Sequence, residues 1–288
     1  MKAEPDVLLD QKFDHPEGLV WDERGERLLW VDIFRGGVLS YAPASRAFEQ
    51  SNVGRSVGAV APRSGGGLVC AVREGFAFLS EAGSVELVTE LHATHPDLRM
   101  NDGAVDARGR FWAGSMSDTS IALPGEGALY RFDPDRACTT HLEGVAISNG
   151  IGWSSDNKIC YYIDSASHGI DAFDFDLEAG RLSDRRQIAK VEVYPDGLAI
   201  DAEGCVWVAM FGGGEVCRFT PSGRIDRVVR LPGTQVTTCA FGGRDLRTLF
   251  IAVSPHGLSE QALRTEKAGY IFAMDVDVPG LPAHEFGG

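Results

Sequence analysis

Short apolar runs separated by Asp- and Gly-rich turns recur along the whole chain, and no stretch shows the periodicity of a long helix. One phrase returns: an apolar strand, a turn, then a second apolar strand. Gly18-Leu19-Val20-Trp21-Asp22 leads into Leu28-Leu29-Trp30-Val31, and Gly58-Ala59-Val60 into Leu68-Val69-Cys70-Ala71. Gly103-Ala104-Val105-Asp106 precedes Phe111-Trp112-Ala113-Gly114, and Gly150-Ile151-Gly152-Trp153 precedes Ile159-Cys160-Tyr161-Tyr162. Gly197-Leu198-Ala199-Ile200 then leads to Val206-Trp207-Val208-Ala209, and Ala240-Phe241-Gly242-Gly243 to Leu249-Phe250-Ile251-Ala252. A third strand follows in every copy, several of them alternating apolar and polar as half-buried strands do, and a weaker fourth follows that. Four strands per unit at this spacing is the mark of propeller blades.

The pattern therefore predicts an all-β, six-bladed β-propeller of four-stranded blades, with residues 1–288 as one domain. Asp6-Val7-Leu8-Leu9 is left over at the N-terminus and is expected to pair into the last blade, closing the ring and covering an exposed strand edge. An open repeat array would instead need polar caps at its ends.

Repeat phase supplies the candidate chemistry. The residue before each first strand is Glu17, Val57, Asp102, Asn149, Asp196 and Cys239, at intervals of 40, 45, 47, 47 and 43 residues. In a propeller the innermost strands line a central channel, so one phase of the repeat forms one ring at its mouth. Three carboxylates and an amide converging there repel one another and lose hydration unless a cation offsets them. All-oxygen donors suit a hard ion, Ca²⁺, Mg²⁺ or Mn²⁺, with Zn²⁺ as a further occupant. Few protein ligands leave positions open for water or substrate. The competing reading takes Asp102-Gly103, Asn149-Gly150 and Asp196-Gly197 as turn formers; Glu17-Gly18 is not a favoured turn pair.

Composition narrows the partners. The net charge is −14 with no Lys/Arg block, so nucleic acid and anionic membrane are not expected partners. The N-terminus shows no basic segment followed by an apolar run, and a cytoplasmic location is expected, with the chain a monomer or weak homo-oligomer. The 6 cysteines form no C-x-x-C pair and read as buried thiols. Gly54-Arg55-Ser56-Val57-Gly58 matches a nucleophile-elbow pattern, but a strand follows it where that motif needs a helix. Gly212-Gly213-Gly214 precedes a strand and reads as a turn. His15, two residues before Glu17, reads as a packing or surface residue.

With these residues in hand the chain resembles the regucalcin (senescence marker protein) / gluconolactonase / luciferin-regenerating-enzyme family over almost its whole length. The resemblance rests on Arg99-Met100-Asn101-Asp102-Gly103 with Gly109-Arg110-Phe111-Trp112-Ala113-Gly114-Ser115-Met116, on Ile147-Ser148-Asn149-Gly150, and on Pro195-Asp196-Gly197 with Asp201-Ala202-Glu203-Gly204. Tyr161-Tyr162-Ile163-Asp164 and Cys239-Ala240-Phe241-Gly242-Gly243 add to it.

The resemblance implies one catalytic divalent metal at Glu17, Asn149 and Asp196, substrate contacts at Arg99 and Asn101, and hydrolysis of sugar lactones. The family carries acidic residues shortly after the segment matching Gly114-Ser115-Met116. Here Ser117-Asp118-Thr119 follows, so Asp118 and Thr119 are the candidates for that substrate contact. Asp196 is the expected general base and Asp102 the alternative. Aryl-ester or phosphotriester hydrolysis, or calcium binding without turnover, are the competing functions.

Overall fold

The computed structural model describes residues 4–118 and 125–288. Six four-stranded antiparallel sheets form the expected ring of blades. Blades one to five run in simple order from an innermost strand outward. Their innermost strands are Pro16–Asp22, Val57–Pro62, Leu98–Val105, Ser148–Trp153 and Tyr194–Ile200. Blade six is built from Val236–Gly242, Thr248–Val253 and Tyr270–Asp275, and its outermost strand is the N-terminal Asp6–Val7. Asp6 pairs with Ala273 and Val7 with Phe272, so the two ends of the chain lock the ring as the leftover N-terminal segment predicted.

The alternation within each strand explains the packing. Second strands such as Leu68–Val72 and Val206–Phe211 are apolar on both faces because a neighbouring blade covers each side. Outermost strands such as Ala47–Asn52 and Ile225–Arg230 are largely exposed. Aromatic side chains fill the wedges between blades: Phe76 stacks on Phe132 at 4.7 Å between ring centres, and Trp207 meets Phe241 edge-on at 5.7 Å. None of the six cysteines is bonded to another, and all but Cys138 are buried.

One feature of the base had no signal in the repeat. The C-terminal tail crosses beneath the channel, with Gly280 N donating to Leu246 O at 2.8 Å and Leu281 N to Ile200 O at 2.9 Å. It ends with Phe286 fully buried and stacked on Phe132 at 5.3 Å. This strap closes one side of a cavity of about 250 Å³ in the channel, walled by Trp21, Trp153, Leu198 and Phe241. No helix among the described residues is long and apolar enough to cross a membrane.

Candidate metal centre and substrate cleft

Every innermost strand breaks register near the ring, although in blade six the break precedes Cys239 by two residues and in blade three Asn101 takes the first place in it, ahead of Asp102. The breaks fall between Glu17 and Val20, Val57 and Ala59, Met100 and Gly103, Ser148 and Ile151, Pro195 and Leu198, and Val236 and Thr238. A bulge inserts extra backbone, bends the strand and re-aims its side chains. Asp102, Asn149 and Asp196 sit inside these breaks and Glu17 at the edge of one. The ring residues thus lie within strands, not before them, and the Asp-Gly and Asn-Gly pairs are not turns. Their glycines answer to crowding by the next blade: a Cβ on Gly150 would stand 2.7 Å from Asp196 O, and one on Gly58 only 2.3 Å from Asn101 O.

The ring then divides. Glu17, Asn149 and Asp196 are buried. Asp102 retains some exposure and lines the cavity between the ring and the C-terminal strap, beside Gly103 and Cys239. The convergence of three carboxylates and an amide on one mouth is therefore refined to two carboxylates and an amide, with Asp102 reaching the opposite side. Among the described residues, no three His, Cys, Asp or Glu side chains alone are arranged to hold a metal. The set that remains draws its third donor from an asparagine.

The orientation of that asparagine is determined by its neighbours. Asn149 Nδ2 donates to Ser165 Oγ at 2.7 Å, and Ser165 Oγ donates to Pro195 O at 2.6 Å. This leaves Asn149 Oδ1 as the exposed end of the amide toward the ring, where it accepts from Asn101 Nδ2 at 2.9 Å. Ser165 belongs to a single 3-10 turn, Ser165–Ser167, capped by the Asp164 carboxylate, which also accepts from the amides of Ala146 and Ile147 at 3.0 Å. Nothing in the repeat pattern pointed to Ser165.

The carboxylates are short of donors. Glu17 Oε2 accepts from its neighbour's amide, Gly18 N, at 3.0 Å, and Asp102 Oδ1 accepts from Gly103 N at 2.7 Å. Asp196 Oδ1 is buried with no hydrogen-bond partner. Burial, then the charge of Asp102, pushes the Glu17 carboxyl up to about 8. Burial raises Asp102 to about 6, and burial followed by the charges of Glu17 and Asp102 raises Asp196 well above the usual range. Such a group of electron-rich, mutually repelling oxygens fits a bound cation, which would satisfy the orphaned oxygen and offset the repulsion.

Next to the ring stands Arg99, buried, whose Nε donates to Asp118 Oδ1 at 2.8 Å and whose Nη1 donates to Asn101 Oδ1 at 2.5 Å. Asn101 passes the contact on, donating to Ser148 O at 2.7 Å as well as to Asn149. Asp118 also accepts from Arg73, which donates in turn to Pro96 O at 2.5 Å. The structure so places Asp118 as the anchor of two guanidinium groups, with an oxygen toward each. Thr119 lies outside the described residues.

His15 is buried, its Nδ1 is 2.6 Å from Ser254 Oγ, and it stacks on Phe34 at 5.2 Å. Burial, with the charge of Arg99, pulls its imidazole down to about 3, so it is neutral at pH 7. The expected packing role holds, although the packing is at the site itself. Phe34 and His256, which complete this wall, carry no repeat signal and were missed.

Six blades closed around an axial set of carboxylate and amide oxygens define a class: propellers with an oxygen-donor centre at the channel mouth. The chain belongs to the SMP-30/Gluconolactonase/LRE-like family, whose pattern matches residues 15–254. Regucalcin of Danio rerio is 38% identical over 290 residues, covering 98% of this chain and 98% of that protein. Human regucalcin is 37% identical over 283 residues, 94% of each. Among solved structures, luciferin-regenerating enzyme matches with a TM-score of 0.91 at 28% identity, over 99% of this chain and 100% of that one. The regucalcin of Agrobacterium tumefaciens, described as a calcium-binding protein, matches with a TM-score of 0.93 over 99% and 97%; at 24% identity it supports the fold alone.

Proposed function

We propose that this chain is a divalent-metal-dependent hydrolase that opens sugar (aldono-) lactones to aldonic acids. The observation that carries the reading is the buried, unpartnered Asp196 Oδ1, held beside Glu17 within a few side chains of Arg99. Glu17, Asn149 and Asp196 would hold one cation, Ca²⁺, Mg²⁺, Mn²⁺ or Zn²⁺; oxygen donors favour the harder ions. When bound, such an ion polarises a carbonyl and stabilises negative charge on its oxygen. Arg99, held on one side by Asp118 and on the other by Asn101, binds the hydroxyls of the lactone. Asp196 receives the proton of the attacking water as oxygen adds to the carbonyl carbon. It returns that proton to the ring oxygen as the carbon–oxygen bond breaks. Asp102, turned to the cavity between ring and strap, is the poorer base for a substrate arriving at the mouth. The gluconolactonases in the family's name support this reaction class.

The test is a pH-drop assay of metal-stripped protein, alone and reconstituted with each ion, against aldonolactones, unsubstituted valerolactone and a phosphotriester. Aldonolactones should be the better substrates by kcat/KM, because a site built to bind hydroxyls rejects analogues lacking them. Preference for valerolactone or phosphotriesters would overturn the sugar-lactonase reading. Saturable ion binding with no turnover on any of them would leave a calcium-binding propeller without hydrolase activity.

A further inference from the structure

Most large apolar side chains that reach solvent lie far from the axis. Leu87, Ile225 and Val228 belong to outermost strands, and Leu263 to the surface helix Glu260–Thr265. Phe34 is different. It follows the second strand of blade one, Arg27–Asp32, at the end where Asp32 pairs with Pro16, so it emerges at the mouth beside Glu17. It remains 47% exposed there, yet its ring is held from three sides. His15 stacks on it at 5.2 Å with an interplanar angle of 25°, His256 packs at 5.0 Å, and the Arg99 guanidinium lies 5.7 Å from its centre. The two histidines are themselves tied down, since Ser254 Oγ meets His15 Nδ1 at 2.6 Å and accepts from His256 N at 2.9 Å.

A single exposed apolar side chain is ordinary. One that is pinned by side chains from three blades, beside a buried arginine and the carboxylate ring, is a preformed surface. Ligand pockets combine such aromatic walls with a few placed polar groups. The ring of an aldonolactone has an edge of hydroxyls and a face of C–H bonds, and the negative face of a phenyl ring attracts the positive edge of C–H groups. We infer that Phe34 is the stacking platform for the C–H face of the lactone, oriented so that the hydroxyl edge turns to Arg99. This inference rests on the lactonase reading and deepens it. Phe34 selects lactones by stereochemistry: a hydroxyl projecting from the stacked face separates ring from platform, whereas one on the edge is tolerated.

The experiment uses the full chain reconstituted with its most activating ion, with glucono-δ-lactone as substrate and 1,5-anhydroglucitol, a ring with the hydroxyls and no carbonyl, as a non-reacting competitor. Phe34→Ala should raise KM and the 1,5-anhydroglucitol inhibition constant together, each about tenfold, while kcat changes by less than about twofold. Phe34→Tyr keeps the aromatic face and should restore both to within about twofold of wild type. Ion affinity should be the same in all three proteins, which a merely structural role for Phe34 would not guarantee. Unchanged KM and inhibition constant in Phe34→Ala, with the wild type active, overturns the platform and leaves the lactonase standing. A wild-type chain that neither turns over the lactone nor binds 1,5-anhydroglucitol removes both.

Discussion

Asp106 and Asp196 are both buried aspartates on or just beyond innermost strands, and they live opposite lives. Asp106 accepts four hydrogen bonds, from Arg108 N at 2.9 Å, Arg110 N at 3.2 Å, Arg110 Nε at 2.7 Å and Trp112 Nε1 at 2.8 Å. Asp201 repeats the arrangement in blade five, with Glu203 N, Cys205 N, Trp207 Nε1 and Arg218 Nε between 2.7 and 3.0 Å. These carboxylates staple a turn, a tryptophan and an arginine into one blade. Asp196 leaves Oδ1 without a partner, and its charged neighbours include the carboxylates of Glu17 and Asp102. Burial is common to both settings; the supply of donors separates a structural carboxylate from one reserved for a ligand.

The comparison breaks most sharply under substitution. Asp196→Asn should cut turnover on the order of 10⁴-fold, ~5.5 kcal/mol of barrier, by removing both an ion ligand and the base. Its metal-free form should melt close to wild type, because the carboxyl it replaces is already buried in its protonated, uncharged form. Asp106→Ala should do the reverse. It strands the buried Arg110 and the Trp112 indole, costing about 3–5 kcal/mol in a urea titration, while ion affinity per folded molecule is unchanged.

Smaller effects refine the boundary between the two groups. Ser165→Ala releases the Asn149 amide and should weaken ion binding about tenfold, with little change in melting. The pH dependence of stability gives a further check. Glu17 is raised to about 8 from an ordinary 4.5, so in the metal-free protein it favours folding while protonated. That contribution is full below about 4.5 and is lost as pH rises through about 8, so metal-free stability should decline across this window. Saturating ion should flatten the decline. A metal-free protein that gains stability from pH 5 to 8 would contradict the burial of protonated carboxyls at the ring.

Much of this was legible in the sequence because a propeller writes its architecture as a period. The phase shared by Glu17, Asn149 and Asp196 puts them on one ring, and the leftover Asp6-Val7 segment points to the closure. What periodicity could not show is what departs from it. The bulges at Asp102, Asn149 and Asp196 are backbone irregularities inside apparently regular strands. They turned Asn149-Gly150 from an apparent turn into a crowded strand contact. Asp102 takes the second place in its bulge, where blades four and five have Gly150 and Gly197, so the repeat count puts it one position out of phase and it faces the cavity on the other side. Ser165, Phe34 and His256 lie on connections between strands, where each blade differs from the next. Asp118 was read as a substrate contact from its place in the chain; its pairing with Arg73 and Arg99 needed the third dimension.

The central claim is that the donor-poor carboxylates form a cation site, and calorimetric titration of a divalent ion into metal-stripped protein tests it most directly. Near pH 7, in buffers of different ionisation enthalpy, the account predicts one ion per chain and net release of protons, because Glu17 and Asp196 hold protons above the usual carboxylate range. Asp196→Asn should lose most of that affinity, whereas Asp106→Asn should keep it. Binding that releases no protons and is equally tight in Asp196→Asn would place the ion elsewhere and contradict the account.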